Sequence, residues 1–458
     1  VPGYEEVFSE VLSRVKPSVE EQAHILSVAD RVVAMIREHG GKFLDVIVAG
    51  SAARGTNLRG SSDVDVFIIY PRDVPRNVME AEALGIGKSL SSKFEIRYAE
   101  HPYVTVWVDG VEVDVVPAYE MKPGQNIQSA TDRTPLHQKF LQEHFPPELR
   151  DDVRVMKAFL RGIGVYGAEI RVEGFSGYLV ELLVLHYGGA LPLLRAAADW
   201  KPPIFIDIVG HAKSRFDNPL VVIDPVDPYR NVASPVSLQS LAIFVAAARA
   251  FLDNPSLDFF FPEPRLLSPE DVKRIFVQRK THPIFLVAGY PPGTSPDIVW
   301  GEIKRSLRMM RRKLETAGYY VLHAGVWTDE LAHIVWYFEI AGGYDAFVET
   351  RQGPPVFDRQ NSKRFLEKHI DEFFGPYIRG SRWYVDVLRP ATTPELALMN
   401  IVEDMKQRGS FRKHLLRSLE KGYEIQKGRG ILDFYVRNRA FAQWLSSVLV
   451  PRPPWLKR

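Results

Sequence analysis

The chain has 458 residues, too many for one hydrophobic core; at ~150 residues per domain they imply about three. Its apolar fraction of 46% and charged fraction of 25% are those of an ordinary globular protein, and the absence of cysteine excludes disulfides, zinc-thiolate sites and cysteine nucleophiles. A net charge of +2 neither demands nor forbids a nucleic-acid partner, because the placement of charge decides that. The amino-terminal residues lack the basic and apolar regions of a signal peptide, and the longest apolar stretch, near Tyr178 to Leu194, is broken by Glu181 and His186. A soluble, cytoplasmic protein is therefore expected.

Ser18-Val19-Glu20-Glu21 is a capping-box pattern, and the amphipathic run that follows ends at Gly40-Gly41, which predicts a helix from about Val19 to His39. Phe43 to Ala49 reads as a buried strand leading into Gly50-Ser51-Ala52-Ala53-Arg54-Gly55-Thr56, a turn or helix start. A strand opening at Asp63, a helix from about Arg76 to Ser91, and two β-rich runs joined by Asp109-Gly110 complete a small mixed sheet with helices on one side. Helical patterns dominate from about Glu148 to Arg161, Phe175 to Tyr187 and Val236 to Leu252, interrupted by Val221 to Pro228. Beyond the proline-rich Phe259 to Pro264 segment, a β-α-β-β order starts near Ile284. Strand-like Trp383 to Leu388 and a helix capped by Thr393-Pro394 follow. The expected class is α+β, with domains at 1–145, 146–262, 263–380 and 381–458: a head, a helical central domain, an α+β body and a basic tail.

Asp63 and Asp65 carry the first chemical signal. In a strand, residues i and i+2 leave the same face ~7 Å apart, while Val64, Val66 and Ile68 face the other side. Two ionised acids this close repel each other, and a divalent cation removes that cost. Asp114, in a second strand, supplies a third carboxylate, and oxygen-only ligands select Mg²⁺ or Mn²⁺ and suit a two-metal displacement on a nucleotide. Glu112 shares the face of Asp114 and reads as a solvated hairpin charge. Gly50-Ser51 offers close backbone approach and a hydroxyl, with Arg54 one turn on; no P-loop or kinase glycine loop is present.

Gly50-Ser51, Arg54-Gly55-Thr56, Gly60-Ser61-Ser62-Asp63-Val64-Asp65 and Val113-Asp114-Val115 together resemble the catalytic pattern of the DNA polymerase beta nucleotidyltransferase superfamily. Glu95 to Tyr103, Gly110 to Pro117, Asp132-Arg133-Thr134-Pro135, Gly174 to Tyr178 and Asp224 to Ala233 narrow the resemblance to the class I, archaeal-type CCA-adding enzymes, strongly over the first ~260 residues and more weakly beyond. That resemblance implies a polymerase-beta-like head and template-independent addition of C, C and A to tRNA from CTP and ATP. Two Mg²⁺ ions would sit on Asp63, Asp65 and Asp114, with Mn²⁺ as a substitute. It also implies that Ser51, Arg54, His137, Lys157 and Tyr166 hold the triphosphate and that Arg230 reads the incoming base, whose acceptors C and A share. The partners implied are tRNA lacking all or part of CCA, CTP and ATP, with no membrane; a homodimer is compatible.

Taken without the resemblance, His137 is an exposed helix histidine, Tyr166 a loop aromatic and Lys157 a solvated charge. The crowd of cations after Thr393, with Arg408, Arg412, Lys413 and Arg417 as the expected tRNA-binding residues, suits phosphate and shape recognition of an RNA helix. Arg305, Arg308, Arg311, Arg312 and Lys313 form a second basic cluster. Two enzymes of the same superfamily, a poly(A) polymerase and a 2′-5′ oligoadenylate synthetase, share the Gly-Ser and Asp-x-Asp signatures. An RNA-binding module with a dead catalytic domain is the rival from another class, and the intact Asp114 argues against it.

Overall fold

A computed structural model describes residues 3–61, 63–98, 101–121, 130–341, 348–388 and 393–456; Ser62 and Ala99-Glu100 of the motifs above lie outside them. The chain divides into two units, Val1–Glu263 with Pro453–Arg458, and Pro264–Arg452.

In the first unit, helices α1 (Tyr4–Val15) and α2 (Val19–His39) precede strand β1 (Asp45–Ala49), the short helix α3 (Gly50–Arg54), β2 (Val64–Tyr70), α4 (Arg76–Ser89), β3 (Phe94–Tyr98), β4 (Pro102–Val108) and β5 (Val111–Tyr119). The Ser18 side chain accepts from the Glu21 N–H at the start of α2, and Gly40, at φ +69°, ends it, as the capping pattern predicts. The strands form one sheet in the order β1-β2-β5-β4-β3, parallel only between β2 and β5. Asp109 and Gly110 both take positive φ, the geometry of a two-residue hairpin turn. Val64, Val66 and Ile68 of β2 join Val113 and Val115 of β5 in a core with Val32 and Ile36 of α2 and Ala83 and Ile86 of α4. Phe67, Ile69, Val116 and Ala118 point to the opposite face, and Asp65 and Asp114 belong to that face by alternation.

A mostly helical layer follows: α5 (Ala130–His144), α6 (Arg150–Gly162), α7 (Gly177–Tyr187) and α8 (Ala190–Ala198), then the short strands β6 (Ile204–Ile206), β7 (Leu220–Asp224) and β8 (Asp227–Asn231), and α9 (Leu238–Asp253). Helix α5 has no clear sequence signal because Pro135 lies inside it, and an interior proline argues locally against a helix. Phe159 of α6, Phe175, Leu182 of α7 and Phe244 and Phe251 of α9 are fully buried at the centre of this layer, and Trp455 stacks on Phe259 at its edge. Among the described residues, no single helix is long and apolar enough to cross a membrane; α7 and α8 pass only as a pair, and they are bent by 90°.

The second unit contains α10 (Pro269–Arg279), β9 (His282–Gly289), α11 (Pro296–Thr316), β10 (Val321–Thr328), β11 (His333–Ile340), β12 (Val348–Pro355), α12 (Arg359–His369), β13 (Phe374–Arg379), β14 (Arg382–Leu388), α13 (Pro394–Gln407), α14 (Lys413–Glu420), β15 (Tyr423–Lys427), α15 (Leu432–Arg437) and α16 (Arg439–Leu449). Its main sheet runs β10-β11-β9-β15, with α11, α13 and α14 packed on one face and α10, α15 and α16 on the other. A separate sheet, β12-β14-β13, carries α12. The division expected at 380/381 falls in the turn between β13 and β14, which pair as a hairpin, and β15 returns to the sheet that β9 begins.

Candidate active site

Strand β1 delivers the chain to Gly50, whose φ of +87° turns it into α3. A Cβ at Gly50 would stand 2.5 Å from Asp65 Oδ2, so only glycine lets this turn pass the carboxylate. Ala49, Asp65 and Asp114 are registered side by side across β1, β2 and β5, and Thr105 of β4 lies opposite Asp114 and donates its hydroxyl to Oδ1 at 2.6 Å. Burial pushes the Asp65 carboxyl up to about 6; the Asp114 charge adds to this, Arg54 opposes it, and Asp63 raises it further. The Asp114 carboxyl is likewise raised by burial, against the Thr105 hydrogen bond and the Arg97 charge, with Glu112 and Asp63 adding to the rise.

Asp63 stands one residue ahead of β2 and is exposed. Among the described residues, no three acidic or histidine side chains converge as a metal-holding group. Asp65 and Asp114 are the preset pair: two oxygen donors whose charges burial and mutual repulsion penalise, which fits a hard divalent cation. Glu112 pairs with Arg97 at 2.8 Å, in keeping with its reading as a hairpin charge.

Ser51 follows Gly50 in the first turn of α3. Arg54, at the end of that helix, meets Glu181 of α7 twice at 3.0 Å (Nε to Oε1 and Nη2 to Oε2) and donates from Nη1 to Gln138 at 2.7 Å. Thr56 donates its hydroxyl to the same Glu181, and the Thr56 carbonyl accepts from Lys157 Nζ at 3.0 Å. Lys157 is buried rather than solvated; loss of water lowers its pKa to about 8, against the pull of Glu181. A Cβ on Gly177 would lie 3.1 Å from the Tyr166 hydroxyl and 3.6 Å from Lys157 Cε, so this glycine makes room for both side chains. The Tyr166 ring lies under the Arg161 guanidinium, and burial raises its phenol pKa.

His137 is also buried, stacked on Tyr178 with ring centroids 3.9 Å apart. Its Nε2 lies 2.8 Å from Asp224 Oδ2, and Arg230 Nη1 donates to the same oxygen at 2.7 Å. Burial lowers the His137 pKa although Asp224 pulls it up. Burial would raise the Asp224 carboxyl, but the His137 hydrogen bond and the His137 and Arg230 charges bring it below its ordinary value.

Of the expected residues, the structure registers Asp65 with Asp114 and leaves Asp63 exposed one residue ahead of β2, sets Ser51 in the first turn of α3, brings Lys157 and Tyr166 to Gly177 with Arg54 on Glu181, and joins His137 to Arg230. Glu181, which meets Arg54 and Thr56, and Asp224, which meets His137 and Arg230, are absent from the expected set. Each carries a sequence signal: Glu181 interrupts an apolar helix, and Asp224 ends the apolar run Leu220 to Ile223.

In the second unit, Arg412, Lys413 and Arg417 are exposed at and along α14, while Arg408 pairs with Asp404. A groove of about 650 Å³ lined by Tyr290, Thr294, His414, Arg417 and Lys421 adjoins that helix. Arg305, Arg308 and Arg312 are exposed on α11, whereas Arg311 and Lys313 pair with Glu315 and Asp404.

Residues 32–137 match the nucleotidyltransferase domain family, 151–261 the second domain of tRNA nucleotidyltransferases, and 279–428 the C-terminal domain of CCA-adding enzymes. The chain is 42% identical over 393 residues to a CCA-adding enzyme of Pyrobaculum aerophilum, a match covering 83% of this chain and 89% of that protein. It is 40% identical over 385 residues to one from Methanoregula boonei, covering 83% of each, and 36% identical over 438 residues to one from Halobacterium salinarum, covering 94% and 93%.

Proposed function

The chain belongs to the CCA-adding enzymes, and from that membership we propose how its own residues build or repair the 3′-terminal CCA of tRNA. The tRNA 3′-hydroxyl attacks the α-phosphate of CTP or ATP in line, without a template, and pyrophosphate leaves. Asp63, Asp65 and Asp114 would hold two Mg²⁺ ions, or Mn²⁺, which when bound lower the pKa of the attacking hydroxyl and neutralise the departing pyrophosphate. Ser51, Arg54, His137, Lys157 and Tyr166 bind the triphosphate. Arg54 does so by exchanging carboxylate oxygens of Glu181 for phosphate oxygens, both of which fit a planar guanidinium. Arg230 donates to the base. Arg412, Lys413 and Arg417 hold tRNA through its phosphates, which orients the substrate without reading sequence. We infer a cytoplasmic enzyme from such substrates; light scattering tests a homodimer.

The observation that supports this reading most directly is the registered Asp65–Asp114 pair, with Gly50 cleared of side chain in front of it. The test offers Mg²⁺ and labelled CTP or ATP, in separate and combined reactions, to tRNAs ending before, within and after CCA. Two C and one A, followed by a stop, are expected. An open-ended A tail, 2′-5′ linkages or no product would overturn the reading.

A further inference from the structure

Resting on the CCA-adding reading, we propose that Asp224 is a positioning residue that sets nucleotide choice: one buried carboxylate fixes both the guanidinium that reads the base and the histidine that meets the triphosphate. Asp224 is fully buried at the end of an otherwise apolar strand. A carboxylate in such a place is costly unless it is paired and hydrogen-bonded, so its presence needs a reason beyond strand packing.

Its oxygens are all engaged. Oδ2 accepts from His137 and Arg230, Oδ1 accepts from the Val226 N–H at 3.1 Å, and the main-chain carbonyl takes His211 Nε2 at 2.8 Å. The carboxylate is therefore held against rotation. The backbone that carries Arg230 is fixed too: the next residue, Asn231, accepts from the Val222 and Ala233 N–H groups at 2.9 Å each and donates to the Leu220 carbonyl at 3.1 Å, which locks the end of β8 onto β7.

The Arg230 side chain nonetheless remains 34% exposed. Arg230 Nη1 lies on Asp224 while a third of the side chain faces outward, so the guanidinium can meet a ligand in an orientation that Asp224 dictates. His137, clamped between Tyr178 and the same carboxylate, cannot shift without disturbing Arg230. Base and triphosphate recognition share one anchor. A site with fixed donors rejects the wrong base by leaving its own polar groups unpaired; a swinging arginine adapts and discriminates less.

The experiment measures kcat/KM for CTP, ATP, UTP and GTP with full-length wild type, Asp224→Asn, Asp224→Glu, Arg230→Ala and the Asp224→Asn/Arg230→Ala double variant, alongside tRNA binding and thermal melts as folding controls. Asp224→Asn is expected to shrink the preference for CTP and ATP over UTP and GTP by ~10–100-fold, and Asp224→Glu, which keeps the charge but moves it by one methylene, by less. The double variant is expected to discriminate no worse than Arg230→Ala, because both act through one guanidinium. If a folded Asn or Glu variant lowers all four kcat/KM values equally, Asp224 is merely structural and the proposal fails. If Asn does not fold, the Glu variant decides on the same criterion. Wild type that adds CCA in the same reactions keeps that failure separate from failure of the parent reading; wild type that adds no CCA sinks both.

Discussion

The candidate ligand residues of the two units carry their positive charge in opposite ways. In the first, Lys157 is buried and Arg54 half-buried, with Glu181 as their counter-charge, and Arg230 leans on Asp224. In the second, Arg305, Arg308, Arg312, Arg412, Lys413 and Arg417 stand in solvent on α11 and α14, helices whose apolar sides pack on the sheet. The proposed roles account for the difference: a triphosphate is small and demands donors at fixed distances, so donors for it are best preorganised even at the cost of desolvation. An RNA helix presents many phosphates and tolerates error in each, so its ligands can stay mobile and hydrated. Perturbations should therefore act sharply in the first unit and gradually in the second.

The sharpest break is expected at the carboxylates. Asp65→Ala or Asp114→Ala should lower nucleotide incorporation by at least ~10³-fold, since the charged groups of the transfer would lose their main counter-charge, while filter binding finds tRNA affinity within about twofold of wild type. Retained incorporation would remove these residues from the site. Glu181→Ala comes next: it strands Arg54 and Lys157 without their counter-charge, and breaking a buried pair costs about 3–5 kcal/mol, to be read as a fall in Tm together with a raised KM for CTP and ATP. A leucine equally stable at this position and unchanged in KM would show Glu181 to be packing alone.

Lys157 gives the comparison a pH axis. Its pKa falls from the ordinary lysine range to about 8 in the folded protein, so above pH 8 it loses the charge proposed to meet the triphosphate, and nucleotide KM should rise by up to about tenfold per pH unit. Stability has the opposite sign. Between about 8 and the ordinary lysine value the unfolded chain binds more protons than the folded one, so this lysine's contribution to stability improves as pH rises. A Lys157→Met variant should flatten the KM profile over that range.

In the second unit the responses should be smaller and additive. Arg412→Ala, Lys413→Ala and Arg417→Ala together should reduce the slope of log affinity for tRNA against log salt by up to about 3, one for each phosphate that is no longer neutralised. A salt-independent affinity in the wild type would contradict phosphate binding outright. Arg408→Ala, at an exposed and already paired position, should change affinity by less than about twofold.

The sequence alone determined the features that depend on local pattern. Capping and periodicity placed α2, an Asp-Gly pair placed the β4–β5 hairpin, and the ordered motifs named the nucleotidyltransferase head, because these signals are read over a few adjacent residues. It also offered Glu181 and Asp224 as anomalies, charges where apolar residues were due, without saying what they meet. Only the tertiary structure decided that. It brought Arg54 to a residue 127 positions away and His137 to one 87 positions away, and it buried a lysine and a histidine that, read from their neighbours alone, belong in solvent. The same holds in the second unit, where β15 joins the sheet beside β9 after the chain has built a separate sheet in between. Pairing of buried charges is a long-range matter: the partner is selected by the cost of an unpaired charge in the interior, and that cost exists only once the chain has folded around it.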